Sequence, residues 1–454
     1  MSLIQLHESF YNILDNQYSL AESTESYEYV PLFDKNSIDY DSKEFEFEYS
    51  GTESYIHPHN SYIYVKLQVL NSDKSNLAQT DDVTLQNNGY NIFSRARYYI
   101  EGKEIEDVDY VGINTLINNL IDFSEDFSKS SATNMLWYKD TSDSTETNRF
   151  TTSETGAPTN SKSLIESIKP NTNFNEGYTQ RKIITKNSNT FTLLLPLNRL
   201  FGFCKSINKV FRGSRHRIIL NKNDESNIFH TSSSTKKYFL KIKDMKWYIP
   251  KVISGLFSIS YIEDQISKDF SMELWFKSSK VYRSNEYNND QKSETWKVCT
   301  TQNRPMHLFF AFQKKSRYEP DQLKSCMIFD HMNLQTLRVT INDSYKYPEQ
   351  EYECDFSNNS NDYSRVYFDL LSAGYKNNTD MGTCISMTDF KRLYPIFHVD
   401  ISKKPLAVYE SNLTEINLTY KLSQNSDEKY KIYCMVMSDN KMIMDIVNRK
   451  IIIR

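Results

Sequence analysis

The chain has 454 residues, a formal net charge of −4, and 14% aromatic residues against only 39% hydrophobic residues overall. Such a length allows two or three domains, each half being long enough to bury its own core, and the near-neutral charge excludes a global pull toward nucleic acid or membrane. The 32 Tyr and 26 Phe suit half-buried strands, and the many Asn, Ser, Asp and Lys suit long polar loops, so the blend favours an all-β protein.

From the N-terminus, Leu3, Leu6, Phe10, Ile13 and Leu14 fall at near-helical spacing and predict a short amphipathic helix over 3–14. The same stretch has no basic start, and His7 and Glu8 break its apolar run, so it does not read as a signal peptide. EFEFEYSG (44–51) alternates acid and aromatic, with Phe45, Phe47 and Tyr49 on one face of a strand. SYIYVKLQVLNS (61–72) is a second strand. ARYYIEGKEI (96–105) is a hairpin turning at Glu101-Gly102-Lys103, residues that accept positive φ. GINTLINNLIDF (112–123) is a short amphipathic helix, and a Ser-, Thr- and Asn-rich excursion over 124–190 follows as a solvated surface loop. FTLLLPL (191–197), HRIILNK (216–222) and KYFLKIKDMKWYI (237–249) are three further strands.

The second half repeats this order. WKVCTTQN (296–303) takes the place of EFEFEYSG, and RPMHLFFAFQKK (304–315) that of SYIYVKLQVLNS. LRVTINDSYKY (337–347) is a hairpin turning at Asn342-Asp343-Ser344, and YSRVYFDLLSAG (363–374) is the helix after it. LYPIFHVDI (393–401), TEINLTYKL (414–422) and KYKIYCMVM (429–437) close the set. A period of half a chain is a duplicated domain, not a solenoid of ~20–50-residue units. About eight strands per copy, joined by short turns and long connections, suit a jelly roll, which closes two sheets over one core and suppresses free edges. The expected fold is all-β: two tandem eight-stranded jelly rolls, a double jelly roll with short helices and long surface loops. Pro250 and Gly255 punctuate the chain, so the expected domains are 1–252, carrying the N-terminal arm and the 124–190 loop, and 253–454.

Chemistry leaves a weaker trace. Gly51-x5-His57-x-His59 matches the start of a cupin metal motif, and cupins are jelly rolls too. The continuation NSYIYVKLQ offers neither the carboxylate nor the third His that such a site needs, and Pro58 disfavours a central strand, so a loop is the expected reading. His216, in RGSRHR, either contacts a phosphate or a base or marks the entrance to a strand, and the latter is expected. Nucleophile elbows and phosphate loops are absent from the sequence. Cys204, Cys299, Cys326, Cys354, Cys384 and Cys434 form no C-x-x-C pair and read as free thiols in a reducing compartment. No stretch approaches the ~20 apolar residues of a membrane span, so a soluble chain made inside the cell is expected. Sequons such as those at Asn412 and Asn417 carry little weight without a secretory signal. Residues 1–53 are acidic and 199–246 basic. The basic segment faces nucleic acid or a membrane surface, or receives the acidic arm of its own or a neighbouring subunit, or is a set of solvated loops.

Four segments resemble the double jelly-roll capsid proteins of animal Maverick/Polinton-type elements and adintovirus-like DNA viruses. They are FEFEYSGTESYIHPHNSYIYVKLQVLNSDKSNLA (45–78), NIFSRARYYIEGKEI (91–105) with LWYKDT (136–141), FDHMNLQTLRVTINDSYKYP (329–348), and YKIYCMVMSDNKMIMDIVNRKIII (430–453), which is similar to the family's closing strand pair. His57-Pro58-His59 departs from the acidic, small-residue loop of the family, and 197–216 matches only loosely. The resemblance implies a major capsid protein and structural virion component, not an enzyme, with no cofactor, no metal and no small-molecule substrate. It implies a homotrimer of pseudo-hexagonal outline tiling an icosahedral shell around double-stranded DNA, with obligate interfaces on the order of 2,000–5,000 Å². The implied partners are its own copies, neighbouring capsomers, penton or minor capsid proteins, and packaged DNA or an inner membrane on the interior face. The 124–190 excursion would then be a tower or surface loop. A tandem β-sandwich binding protein of lectin-like or attachment type is the rival reading, and a cupin-like metalloenzyme the third.

Overall fold

The computed structural model describes residues 24–36, 42–51, 54–78, 80–152, 168–187, 190–254, 271–301, 303–319, 322–374, 382–402, 413–445 and 450–453. The helix expected over 3–14 lies outside them. Sixteen main strands fall into two sets. The first set is β1 (Thr24–Phe33), β2 (Glu44–Tyr49), β3 (Tyr62–Asn71), β4 (Phe93–Ile100), β5 (Lys103–Asp109), β6 (Phe191–Pro196), β7 (His216–Lys222) and β8 (Tyr238–Ser254). The second is β9 (Ser271–Arg283), β10 (Ser293–Thr301), β11 (Arg304–Lys314), β12 (Leu334–Ile341), β13 (Tyr345–Glu353), β14 (Phe397–Asp400), β15 (Thr414–Leu422) and β16 (Tyr430–Asp445).

The sheets of the first set run β6-β3-β8-β1 and β2-β7-β4-β5; those of the second run β14-β11-β16-β9 and β10-β15-β12-β13. Adding eight to each strand number converts one order into the other, and every one of these pairings is antiparallel. The fold is two tandem eight-stranded jelly rolls. Short pairs at Tyr55–Ile56, Phe211–Arg212 and Lys450–Ile453 extend the sheets that hold β8 and β16. The last of these gives the closing pair expected over 430–453.

Alternation puts each core where it belongs. In the first roll Ile63, Val65, Leu67, Met245 and Trp247 face Phe45, Phe47, Ile218 and Leu220, all fully or almost fully buried. In the second, Leu308, Phe310, Phe312, Ile432 and Cys434 face Leu337, Val339, Ile416 and Leu418. Both hairpins turn on left-handed residues: Glu101 at φ 49° and Gly102 at φ 74°, then Asn342 at φ 49° and Asp343 at φ 55°. Asn342 also accepts the Glu415 backbone N–H on its side chain at 2.8 Å, which ties the second turn to β15.

Two expectations need correction. Each copy opens with a strand that alternation did not reveal, β1 and β9, both laid along the closing strand of their roll. Both are edge strands: Glu28 and Tyr29 of β1 and Trp275 and Lys277 of β9 are exposed, so the period-2 signal of a half-buried strand is diluted. The 124–190 excursion is also more than a solvated loop. It buries Leu136, Trp137, Tyr178 and Arg181 and contains the helix Glu176–Asn187. Its few apolar and charged anchors were hidden in a polar average. Residues 153–167 lie outside the described residues.

Candidate assembly interface

The candidate site is the seam where the two rolls meet. Three helices organise it: α1 (Val111–Asp122), α2 (Glu176–Asn187) and α3 (Gly202–Ser206); α4 (Ser364–Ala373) is the counterpart of α1 in the second roll. α1 is apolar on most of its circumference, with Leu116 and Leu120 against the first roll. Its asparagines face the second. Asn114 donates to the Ser279 carbonyl at 3.2 Å, and Ser279 Oγ donates back to Asn114 Oδ1 at 2.9 Å. Asn118 donates to Ser279 Oγ at 3.4 Å. Tyr110, just before α1, lies edge-on to Tyr433 at 5.9 Å and beneath the Arg283 guanidinium at 5.1 Å.

At the base of the seam Glu106 of β5 is fully shut in. Its carboxyl accepts the Gly202 and Phe203 backbone N–H groups at 3.0 and 2.9 Å. Burial pushes it up to about 7, against those hydrogen bonds, which pull the other way. Gly202 is required by close approach: a Cβ there would stand 1.8 Å from the Lys277 carbonyl oxygen of β9. Phe203 then meets Phe276 edge-on at 5.4 Å.

The 124–190 excursion clamps the top. Asp140 and Arg181, both fully buried, pair at 2.6 Å, and Asn175 donates to the same carboxylate at 3.0 Å. The second roll reaches in with Ser325 Oγ on Asp140 Oδ2 at 3.2 Å and Tyr394 OH on the Asp140 carbonyl at 3.2 Å. Arg317 of the second roll holds Asp143 at 2.7 Å and Asp330 at 3.0 Å, and Lys139 holds Asp389 at 2.9 Å. Buried charges are retained only when paired and hydrogen-bonded in this way. A cleft of 790 Å³ opens along the seam beside Arg95, Arg97, Tyr110 and Arg283. Arg317 also lines it, paired as above, and two more of its cations are matched, Arg95 by Asp107 at 2.8 Å and Arg97 by Glu44 at 3.2 Å.

The histidines singled out by sequence act as staples. His57 caps, and His59 sits within, a single 3-10 turn, Pro58–Asn60, in a loop as expected. His57 Nε2 meets Asn208 Oδ1 at 2.7 Å, and Asn60 donates to His57 Nδ1 at 3.1 Å. His59 Nδ1 donates to the Cys204 carbonyl at 2.7 Å. Burial pushes His57 down to about 4 and lowers His59 as well. His216 is the first residue of β7, fully buried between Tyr98 OH and Ser214 Oγ at 2.7 Å each, and burial holds it at about 3. Among the described residues no group of three or more His, Cys, Asp or Glu is placed to hold a metal. All six cysteines are unpaired, and all but Cys299 are buried.

Part of the acidic–basic complementarity is satisfied within the chain. Glu48 of β2 pairs with Arg215, just before β7, and Glu46 of β2 with Arg217 of β7 at 3.7 Å. Arg199 and Lys205 share Asp122 at the end of α1. Sequence reasoning missed Glu106, Ser279 and the His307–His398 contact, 3.1 Å across β11 and β14. Asn114 and Asn118, at i and i+4 of α1, were the one legible trace of the seam.

The architecture is a double jelly roll, two like sandwiches joined side by side through a buried polar seam. The profile of the double jelly roll-like domain family matches residues 159–443, and the chain belongs to that family. A sequence search of curated proteins finds no significant match. Among solved structures, the chain is similar to one in the cryo-EM structure of the Sputnik virophage, at 12% identity over 97% of this chain and 91% of that one, with a TM-score of 0.59. It is also similar to the Faustovirus major capsid protein (10% identity, 94% and 92% covered, TM-score 0.54) and to the mavirus major capsid protein (10%, 98% and 92%, TM-score 0.51). At these identities the likeness is one of fold. No described helix is long and apolar enough to cross a membrane.

Proposed function

We propose that this is a structural virion protein, a major capsid protein whose homotrimers form pseudo-hexameric capsomers. The observation that carries the reading is the duplication itself. Two rolls of one strand order, locked side by side by Asn114, Ser279, Glu106 and Gly202, make a block with two near-equal sides. Three such blocks complete a six-roll ring, a closed cyclic assembly suited to tiling an icosahedral shell around double-stranded DNA. The shared fold with the Faustovirus and mavirus major capsid proteins supports it. The four sequence segments named above support a place among the capsid proteins of Maverick/Polinton-type elements and adintovirus-like viruses.

On this reading the protein works by shape and not by catalysis, with residues 1–252 and 253–454 as its two building units. Both ring nitrogens of His57 and His216, and Nδ1 of His59, are committed to protein partners, as structural staples require. Its partners are its own copies, then neighbouring capsomers and penton or minor capsid proteins, with packaged DNA or a membrane inside. It resides in the virion after synthesis in the host cell. The test is the solution mass of the purified chain by light scattering, with negative-stain images of the same peak. Three chain masses with a triangular or hexagonal projection are expected. A monomer across concentration and salt would overturn the reading and turn attention to glycan binding by a tandem sandwich.

A further inference from the structure

The two rolls carry the same parts but cover them unequally. In the first roll α1 is covered on both sides, and Asn114 is 1% exposed. In the second, α4 buries Val366 and Leu370 toward its own roll and leaves Phe368 55% exposed on the opposite side. The sheets show the converse. The outer face of β9-β16-β11 is shut by the first roll, burying Ser279, Val281, Tyr433 and Met435. The outer face of β1-β8-β3 has no such cover among the described residues. It presents Phe33, 64% exposed, and a run of rings: Tyr29 on Tyr62 at 5.4 Å, Tyr62 on Tyr248 at 5.3 Å, and Tyr248 on Tyr64 at 6.2 Å. One helix lacks a sheet, and one sheet lacks a helix.

The registers say how they meet. Counted from the paired ends Asn71–Tyr238 and Lys314–Tyr430, the cross-strand row Tyr64–Lys246–Phe33 holds the place of His307–Met437–Ser279. Phe33 therefore stands where Ser279 is gripped by Asn114. On the helices, setting Val366 and Leu370 in the buried positions of Leu116 and Leu120 puts Phe368 in the place of Asn118, which also reaches Ser279. A polar pair within the chain thus has an apolar pair as its counterpart, and both members are exposed.

We propose that a second copy of this chain docks head to tail, its α4 lying across β1-β8-β3 of the first, so that Phe368 of one copy packs on Phe33 of the next. The proposal rests on the assembly reading above and names the surfaces that carry it. Charge favours the same pairing. The receiving sheet carries Lys66, Lys241, Lys243, Lys246 and Lys251 on β3 and β8 against Asp244 and, on β1, Glu28, whereas Glu349, Glu351 and Glu353 of β13 flank the Arg365 end of α4. Within the chain, β5 packs on β9 beside α1, so by the same equivalence β13 would meet β1, the edge strand of the lysine-bearing sheet. The two patches differ, so the contact is heterologous, and it closes into a ring when its rotation divides a full turn.

The test uses the full chain with Phe368→Glu and Phe33→Glu, followed by light scattering, with circular dichroism and melting to verify the fold. Wild type is expected at three chain masses. Each variant alone is expected at one. Their equimolar mixture is expected at two, because each chain keeps one intact face and a head-to-tail pair cannot close. A folded variant that stays trimeric, or a mixture that stays monomeric, overturns the proposed surfaces and leaves the assembly reading standing. A monomeric wild type overturns both. If either charged variant misfolds, the double variant Phe33→Cys/Phe368→Cys treated with a short bis-maleimide decides. A ladder of linked chains is expected, and a trimer that yields none overturns the contact.

Discussion

Every histidine among the described residues is held below its usual range by burial: His57, His230, His331 and His398 at about 4, His216 at about 3, and His59 and His307 lowered. Above pH 6.5 these rings are neutral whether the chain is folded or not, and they leave stability unchanged. Below it the unfolded chain takes up protons that the folded chain refuses, so stability falls with pH, on the order of 2–3 kcal/mol for each strongly lowered ring by pH 4. Glu106 works the other way between its folded value of about 7 and the ordinary 4.5, because the folded state keeps a proton the unfolded state has lost. One group opposes several, so the melting temperature is expected to be level above pH 7 and to drop steadily from pH 6.5 to pH 4. Differential scanning fluorimetry across that range checks it; a flat profile would mean that the rings are not shut in as described.

At the scale of elements, the strands that sequence revealed are those with one wet and one dry face. EFEFEYSG alternates because Phe45, Phe47 and Tyr49 point into the sandwich while Glu44, Glu46 and Glu48 meet Arg97, Arg217 and Arg215. The hairpins were legible because Gly102, Asn342 and Asp343 are residues that tolerate a left-handed backbone. β1 and β9 were not, since their place is set by pairing with strands more than 140 residues away. The seam was hidden for the same reason: nothing local in Glu106 or Gly202 announces Lys277 or Ser279. Gly202 shows how tight that junction is. Gly202→Ala is expected to destabilise the chain by about 1–3 kcal/mol, because its Cβ must displace the Lys277 carbonyl and with it the edge of the second roll. Urea denaturation checks the value, and faster proteolysis between the rolls is expected alongside.

At the scale of the molecule, the duplication was legible in the residues alone, as one order of strand, hairpin and helix written twice. The way the copies join was not, because the joining residues differ between them. One continuous cluster of buried side chains runs from Phe45 through Leu116 and Phe276 to Met444, so the two cores are not separate bodies. The chain is therefore expected to unfold in a single calorimetric transition, with the measured enthalpy equal to the van't Hoff value for the whole chain. Two resolved transitions would show that the seam transmits little.

The covalent link between the rolls has a consequence for order in time. Asn114 and Ser279 belong to one polypeptide and meet at a fixed, high effective concentration, however dilute the solution. Contacts that use Phe33 or Phe368 depend on how many chains are present. Dilution therefore separates molecules before it opens any one of them, and a finished subunit exists before there is anything for it to join.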